Sequence, residues 1–503
     1  MPLFKLKQAY RILRATLCAS LLLVTSLRGA YAELSLPALG EGGGGVFSPA
    51  EEHTLGQAWL RSLRSSVMLF EDPLTYEYLE NLLYELASHS ALEKRNIDLV
   101  VIDNPSLNAF AVPGGVVGIH TGLLDHARSS AQLASVLSHE LAHLSQRHFA
   151  RGVEAARRAN FASIAGMLAG IVLAASGSGD AATAAIATSQ AAALDSQLRY
   201  SRLHEREADR IGMQTMVAAG FPASGAAEMF QQMQAAARLY GEGIPEFLRT
   251  HPVTQARIAD AENRARGQAG APKEQDLDYL LVRARVAVLQ AEKLNDLIKH
   301  YRHELQRNRE KIKDAAEPEI ELLQQADTAR YALALALNRS GQWREARKTL
   351  QPLLQDIPGR IAYTLLDIEI DQSAGQQQQA AQRLRDLYAI TPNNYAISIM
   401  LAKMLMQNEA YTAAQSVLQS LAEARPKQPD VWYLLAEVQG LAGDILQLHF
   451  SRAEFFILLG NLTQAQTQLG YALRIAGNDV QVAAKIKQRL REIQQIRRDT
   501  ERL

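Results

Sequence analysis

Ser138-His-Glu-Leu-Ala-His-Leu144 is the stretch that decides the fold around it. Its two histidines, His139 and His143, are four residues apart, so on a helix they lie one above the other on the same face. The apolar residues around them repeat as the buried face of such a helix: Leu133, Val136, Leu137, Leu141 and Leu144. Two imidazoles and Glu140 within that pattern are typical of a zinc-binding helix, in which the glutamate serves as general base.

A catalytic zinc ion takes three protein ligands and a water, whereas a structural zinc is closed by four ligands, usually cysteines. The chain contains a single cysteine, Cys18, so the sequence favours an open site. Further along, Glu205 and Asp209 are four residues apart and share one helical face. One carboxylate can bind the metal while the other orients an imidazole, and Glu207 is a competing ligand.

The metzincin pattern HExxHxxGxxH is a different way to complete such a site. Here Gln146 and Phe149 occupy the positions that this pattern reserves for glycine and histidine. His148 falls off the face that His139 and His143 share. The sequence therefore excludes a metzincin.

Three segments together resemble a known family. The HExxH motif followed by Glu205-Arg-Glu-Ala-Asp-Arg210 resembles the HtpX and CAAX-prenyl-protease type of zinc peptidase. Residues 108–124 are similar to the strand-turn-strand that precedes the zinc helix in that family, and residues 249–258 resemble its closing His-Pro motif. With an N-terminal signal and C-terminal repeats, the layout resembles that of periplasmic proteases that enhance the assembly of outer-membrane β-barrels.

The resemblance implies a role for each matching residue. It implies three ligands for one Zn²⁺ per subunit: His139, His143 and Glu205. It makes Glu140 the general base and Asp209 a carboxylate that orients a ligand or donates a proton. His251 would lie near the metal, where it could stabilise the oxyanion or block the open coordination position.

The expected reaction is peptide-bond hydrolysis, in which Glu140 takes a proton from a water that zinc activates. We expect the substrate to bind as an extended, unfolded segment. Residues 116–120 form a strand after the Pro113-Gly114-Gly115 turn, and this strand is predicted to be an edge beside the metal to which a substrate adds. An ordinary hairpin is the alternative interpretation.

The N-terminus reads as a secretory signal. Lys5, Lys7 and Arg11 precede the apolar run 15–27 and the small-residue site Ala30-Tyr31-Ala32, so cleavage is expected after Ala32, with an uncleaved anchor as the alternative. Cleavage removes Cys18, and the mature chain then has no disulfide. It also leaves 48 basic and 53 acidic residues, and no basic stripe or nucleic-acid motif is visible. Binding to DNA or RNA is therefore disfavoured.

Residues 161–193 are dominated by small and apolar residues and separate the two metal motifs. The first half, 161–176, is shorter than the roughly 20 residues that span a bilayer. The segment is predicted to be a buried helical pair or a lid beside the active site. Peripheral membrane contact is the alternative.

The C-terminal half shows a repeat. Pro358, Pro392 and Pro426 are 34 residues apart, and Ala346, Ala380 and Ala414 recur in step, which is the tetratricopeptide (TPR) period. The next small-residue position, Ala465, is out of step, so an extra helix or a broken register is expected near Leu446. Stacked helix pairs form a curved surface that usually binds proteins, although the array could simply shield the protease.

We therefore predict a mainly α protein with a small β-sheet, in which a zincin-type metalloprotease domain precedes an α-solenoid of TPR repeats. The expected boundaries are 1–32 for the signal peptide, 33–268 for the protease domain and 269–503 for the repeats. The resemblance implies a periplasmic metalloendopeptidase that assists outer-membrane protein assembly, degrades misassembled proteins and engages the β-barrel assembly machinery. The alternative is a largely non-proteolytic scaffold in which zinc is structural, but a scaffold has no chemical need for Glu140.

Overall fold

The computed structural model describes residues 48–155, 202–240, 245–267 and 276–501. The predicted signal peptide over 1–32 and the alanine-rich segment 161–193 lie outside these described residues.

Two helices precede the sheet. Helix α1, Pro49–Ser66, begins at a capping box, because the Ser48 hydroxyl accepts from the Glu51 amide and the Glu51 carboxylate accepts from the Ser48 amide. Helix α2, Pro73–Ser88, begins at Asp72, whose side chain accepts from the Thr75 amide at 3.0 Å. Both helices bury an apolar stripe.

The sheet has three strands in the order β1-β3-β2: β1, Asp98–Ile102; β2, Ala109–Val112; β3, Val116–His120. β3 runs parallel to β1 and antiparallel to β2. The prediction that β3 is an edge strand is wrong. β3 is the central strand of the sheet, with β1 on one side and β2 on the other. The exposed edge beside the metal motif is β2, which packs against the helix that carries HExxH.

Seven helices of the described residues follow before the repeats: α3, Thr121–His126; α4, Ser130–Ser145; α5, His148–Ala155; α6, Arg202–Ala218; α7, Ser224–Tyr240; α8, Glu246–Thr250; α9, Gln255–Gly267. Leu133 and Leu137 of α4 pack with Val117 and Ile119 of the sheet in one apolar core. Gly212 brings α6 close to α4, since a Cβ atom there would lie 2.9 Å from the amide nitrogen of His139. The two metal motifs are thereby brought face to face.

The repeat region is helical throughout, as predicted. Its helices are α10, Leu277–Leu289; α11, Leu294–Asp314; α12, Ile320–Arg339; α13, Trp343–Asp356; α14, Ile361–Ser373; α15, Gln377–Ile390; α16, Tyr395–Gln407; α17, Tyr411–Ala424; α18, Pro429–Leu441; α19, Ile445–Leu458; α20, Leu462–Ala476; and α21, Val480–Glu501. The extra helix expected near Leu446 is present. Two helices, α18 and α19, lie between α17, which carries Ala414, and α20, which carries Ala465, whereas a single helix separates α15 from α17.

The repeats pack directly on the protease region. Helix α2 contacts α10 and α16, and its Leu74 and Tyr76 pack against the apolar clusters of the repeats. Arg285 of α10 forms an ion pair with Asp72 at 2.9 Å, and Lys427 forms one with Asp98 of β1 at 2.9 Å. Within the described residues, no helix has the length and apolar character required to cross a membrane.

Candidate metal centre

Helix α4 carries the HExxH residues into the interior. It begins at Ser129, whose hydroxyl accepts from the Gln132 amide, and it buries His139, Glu140 and His143. The four-residue spacing places the two imidazoles on one face, with their Nε2 atoms 3.0 Å apart. Both nitrogens therefore point to one position.

Helix α6 and the segment after α8 supply two further groups at that position. Glu205 lies 3.4 Å from His143 Nε2 and 3.6 Å from His139 Nε2. His251 Nδ1 lies 3.0 Å from Glu205 Oε1 and 3.3 Å from His139 Nε2. One ligand atom from each of these four buried residues falls within 4.8 Å of all the others. Imidazole nitrogens and a carboxylate oxygen are a donor set that transition metals prefer.

Glu140 lies beside this cluster and outside it. The backbone amide of Ala111 on β2 lies near its carboxylate and favours the charged form, while its Oε1 atom has no hydrogen-bond partner among the described residues. Oε1 lies 3.8 Å from His251 Nε2. Burial raises the pKa of Glu140, although the nearby imidazoles of His251 and His139 oppose the shift. A buried carboxylate with a raised pKa and an oxygen that accepts no hydrogen bond suits a proton acceptor beside a metal.

Charge within the cluster also fits a bound cation. Burial lowers the pKa of His143 well below its ordinary value, which favours the neutral form that binds metal. Burial alone would raise the pKa of Glu205, but the neighbouring imidazoles of His251 and His143 hold that pKa well below its ordinary value. Burial alone would lower the pKa of His251, but the carboxylates of Glu205 and Glu140 raise it above its ordinary value. The neutral His143 and the ionised Glu205 therefore fit a metal ion, which would compete with a proton for His251.

Asp209 lies behind His139 and away from the cluster. Its Oδ1 atom is 3.0 Å from His139 Nδ1, the ring nitrogen opposite the converging Nε2. Although burial would raise the pKa of Asp209, the adjacent imidazole of His139 and the hydrogen bonds from Arg257 hold that pKa below its ordinary value. The ionised carboxylate can accept from His139 Nδ1 and fix the tautomer in which Nε2 is free to bind.

Arg257 of α9 is a functional residue that our sequence interpretation missed. Its Nε and Nη2 atoms donate to the two oxygens of Asp209 at 2.7 and 2.6 Å, and its Nη1 lies 3.0 Å from Glu205 Oε2. Nη1 also donates to the carbonyl of Pro252, which directly follows His251. Its only sequence signal is its place six residues after His251 in the His-Pro segment.

Glu207, the competing ligand in the sequence, lies outside the cluster. Its Oε2 atom is 2.9 Å from Arg151 Nη1 and 3.1 Å from His148 Nε2, both on α5. Glu207 is two positions after Glu205, so on α6 their side chains face different directions.

Comparison with known proteins identifies the family. Residues 73–265 match the model of peptidase family M48, and residues 372–438 match a tetratricopeptide repeat model. The chain is 31% identical over 468 residues to the β-barrel assembly-enhancing protease of Escherichia coli K12, with 93% of each chain covered. This chain belongs to the M48 β-barrel assembly-enhancing proteases.

Other members and relatives agree with this assignment. The putative β-barrel assembly-enhancing protease of Vibrio cholerae is 32% identical over 86% of both chains. The mitochondrial metalloendopeptidase OMA1 of Bos taurus is 30% identical over 213 residues, covering 39% of this chain. The protein is therefore a metalloendopeptidase of family M48 with TPR repeats, and the buried cluster on α4 and α6 is its candidate metal centre.

Proposed function

We propose that this protein is a zinc metalloendopeptidase of the Gram-negative periplasm that assists outer-membrane protein assembly and degrades misassembled β-barrels. The observation that carries the proposal is the convergence of His139, His143 and Glu205 beside the buried carboxylate of Glu140, whose Oε1 accepts no hydrogen bond among the described residues. The names of its relatives support a role in β-barrel assembly. The signal-like N-terminus supports export.

In this proposal His139, His143 and Glu205 hold one zinc ion per chain. Bound zinc supplies Lewis acidity towards a water molecule and the scissile carbonyl. Glu140 takes the proton of the attacking water and delivers it to the leaving amine, a role that its raised pKa favours. Asp209 acts on His139 as an orienting carboxylate, and its low pKa argues against the proton-donor role.

The edge strand β2 is the proposed binding site for substrate backbone. An extended segment can pair with the side of β2 that faces away from β3. The Ala111 amide of this strand lies near the Glu140 carboxylate, so a paired substrate would present its peptide bonds next to the general base. Pairing requires an unfolded segment, which explains a preference for misassembled chains.

His251 is proposed to latch the site. Its Nδ1 atom lies inside the ligand set, 3.0 Å from Glu205 and 3.3 Å from His139, so it would close the coordination position that a substrate needs. Of the two roles expected from the sequence, blocking therefore fits the geometry better than oxyanion stabilisation. Removal of His251 from the cluster would open the site.

The repeats are proposed to bind protein partners, namely the β-barrel assembly machinery and its clients. TPR arrays present extended surfaces that bind other proteins, and the relatives carry β-barrel assembly in their names. The repeat helices also contact α2 of the protease region, so a partner on the repeats lies close to the catalytic unit.

The test uses the chain from Glu33 onward with an unfolded outer-membrane β-barrel protein and with the same barrel folded in detergent micelles. We expect fragments from the unfolded barrel only, loss of cleavage after chelation and recovery when zinc is restored. Cleavage that survives chelation would contradict the metal mechanism. Bound zinc with suppressed aggregation and no cleavage would instead favour the scaffold.

A further inference from the structure

A second set of side chains contacts His143 of α4 at Nδ1, the ring nitrogen opposite the one that faces the metal cluster. His148 is completely buried, and its Nδ1 atom lies 2.9 Å from His143 Nδ1. Its Nε2 atom lies 3.1 Å from Glu207 Oε2, which also accepts from Arg151 at 2.9 Å. The rings of His143 and His148 meet edge to face, at 77°, which suits a hydrogen bond between ring nitrogens.

The backbone is bent to bring His148 to this position. Arg147, between α4 and α5, has φ of 48°, a left-handed conformation that a non-glycine residue seldom adopts. Its guanidinium Nε lies 3.2 and 3.3 Å from the two carboxylate oxygens of Glu52 on α1, an ion pair that offsets the strain. The chain therefore reverses at Arg147 and turns His148 back onto His143.

The direction of each hydrogen bond follows from the metal centre. His143 directs Nε2 at the converging ligand atoms, so a neutral ring carries its proton on Nδ1 and donates it to His148 Nδ1. His148 must then carry its own proton on Nε2 and donate to Glu207. This pair of tautomers satisfies both the contact between His143 and His148 and the contact between His148 and Glu207, and it leaves the lone pair of His143 Nε2 available to a metal ion.

Each metal-facing histidine thus has a partner on its opposite nitrogen. His139 Nδ1 meets Asp209, which Arg257 holds, and His143 Nδ1 meets His148, which Glu207 and Arg151 hold. We propose that His148, held by Glu207, is a positioning residue that fixes the ring and tautomer of His143 for metal binding. This inference rests on the proposed metal site.

The experiment compares His148→Asn with His148→Gln in the chain from Glu33 onward. The side-chain oxygen of asparagine lies near the position of His148 Nδ1 and can accept the hydrogen bond from His143. The side-chain amide of glutamine lies near the position of His148 Nε2 and cannot accept it. Affinity for cobalt(II) is measured by chelator competition, and the visible spectrum of bound cobalt reports the ligand geometry. Glu207→Gln is a third variant, and His449→Gln, at a histidine of the repeats bonded to Gln468, is the matched control.

We expect His148→Gln to weaken cobalt binding about 10- to 100-fold and to change the spectrum, and Asn to stay within a few-fold of wild type. Glu207→Gln should weaken binding several-fold, and His449→Gln should leave it unchanged. Equal affinities and spectra for the Asn, Gln and wild-type proteins would overturn the inference. Unfolding of the metal-free proteins checks that each variant folds, and Glu207→Gln carries the test if a His148 variant does not. A wild-type chain that binds no cobalt would instead refute the proposed metal site.

Discussion

Arg257 holds both carboxylate oxygens of Asp209, at 2.7 and 2.6 Å, while Asp209 lies 3.0 Å from His139 Nδ1. This contact joins α9, which follows the His-Pro segment, to the histidine on α4. We therefore expect the candidate metal centre of α4 and α6 to depend also on residues that follow His251.

Arg257→Lys should weaken metal binding. Lysine keeps the charge but cannot form the two parallel hydrogen bonds to Asp209. We expect metal affinity to fall about 10-fold, as for other residues that orient a ligand, with a matching loss of cleavage at limiting zinc. Arg264→Lys on the same helix, where the arginine pairs with Asp260 near the surface, is the control and should bind metal as wild type does. Equal affinity of both variants would contradict the role.

His251→Ala should raise the rate of cleavage of an unfolded β-barrel protein several-fold with metal still bound. The reason is that the variant frees the position that His251 Nδ1 fills between Glu205 and His139. The double variant with Glu140→Gln should be inactive, which confirms that the cleavage comes from this site. A fall of about 100-fold in the single variant would assign His251 to the oxyanion instead.

Arg285→Met should destabilise the fold. Arg285 is buried and pairs with Asp72 and Glu369, each at 2.9 Å, so its loss leaves two carboxylates without their cation. Breaking a buried ion pair in this way costs about 3–5 kcal/mol, measured as the free energy of unfolding in urea. Arg302→Met, at an exposed pair with Glu345, should cost less than about 1 kcal/mol. Similar losses in both variants would show that the Arg285 network contributes little.

His120 should make the metal-free protein sensitive to acid. It is buried at the end of β3, with Nδ1 2.8 Å from the Ser106 hydroxyl, and burial lowers its pKa to about 4. The unfolded chain has a histidine pKa of about 6.5 and takes up the proton first, so stability falls as the pH drops from about 6.5 to 4. His120→Asn cannot take up this proton.

Urea unfolding of both metal-free proteins at pH 7.5 and pH 5.0 measures the effect of His120. The wild type should lose more stability between the two pH values than His120→Asn, although the variant starts lower at pH 7.5. Equal losses would show that His120 does not titrate in this window. The other titrating groups are the same in both proteins, so their contributions to the loss of stability cancel in the comparison.

Periodicity predicted the parts of the structure that are local in sequence. The four-residue spacing of His139 and His143 places them on one helical face, and the 34-residue period predicts stacked helix pairs. The change of spacing before Ala465 also predicted an extra helix near Leu446. Both α18 and α19 lie between α17 and α20, whereas one helix separates α13 from α15 and α15 from α17.

Contacts between distant segments could not be predicted in the same way. The sequence around the Pro113-Gly114-Gly115 turn indicates only one partner for β3, the hairpin strand β2, and so predicts an edge. The second partner, β1, lies earlier in the chain and pairs with β3 on its other side. Arg257 reaches Asp209 across 48 positions in the chain. His148 lies off the helical face of His143 in an uninterrupted helix, and only the left-handed Arg147 brings them together.

The most direct test of the account is to measure bound zinc and peptide-bond cleavage on the same samples of wild type and Glu140→Gln. Glu140 lies outside the ligand set, so we predict one zinc per chain in both proteins, with cleavage of an unfolded β-barrel protein lowered at least about 100-fold in the variant. Loss of zinc together with activity would make Glu140 a ligand. Full activity with zinc retained would contradict its role as general base.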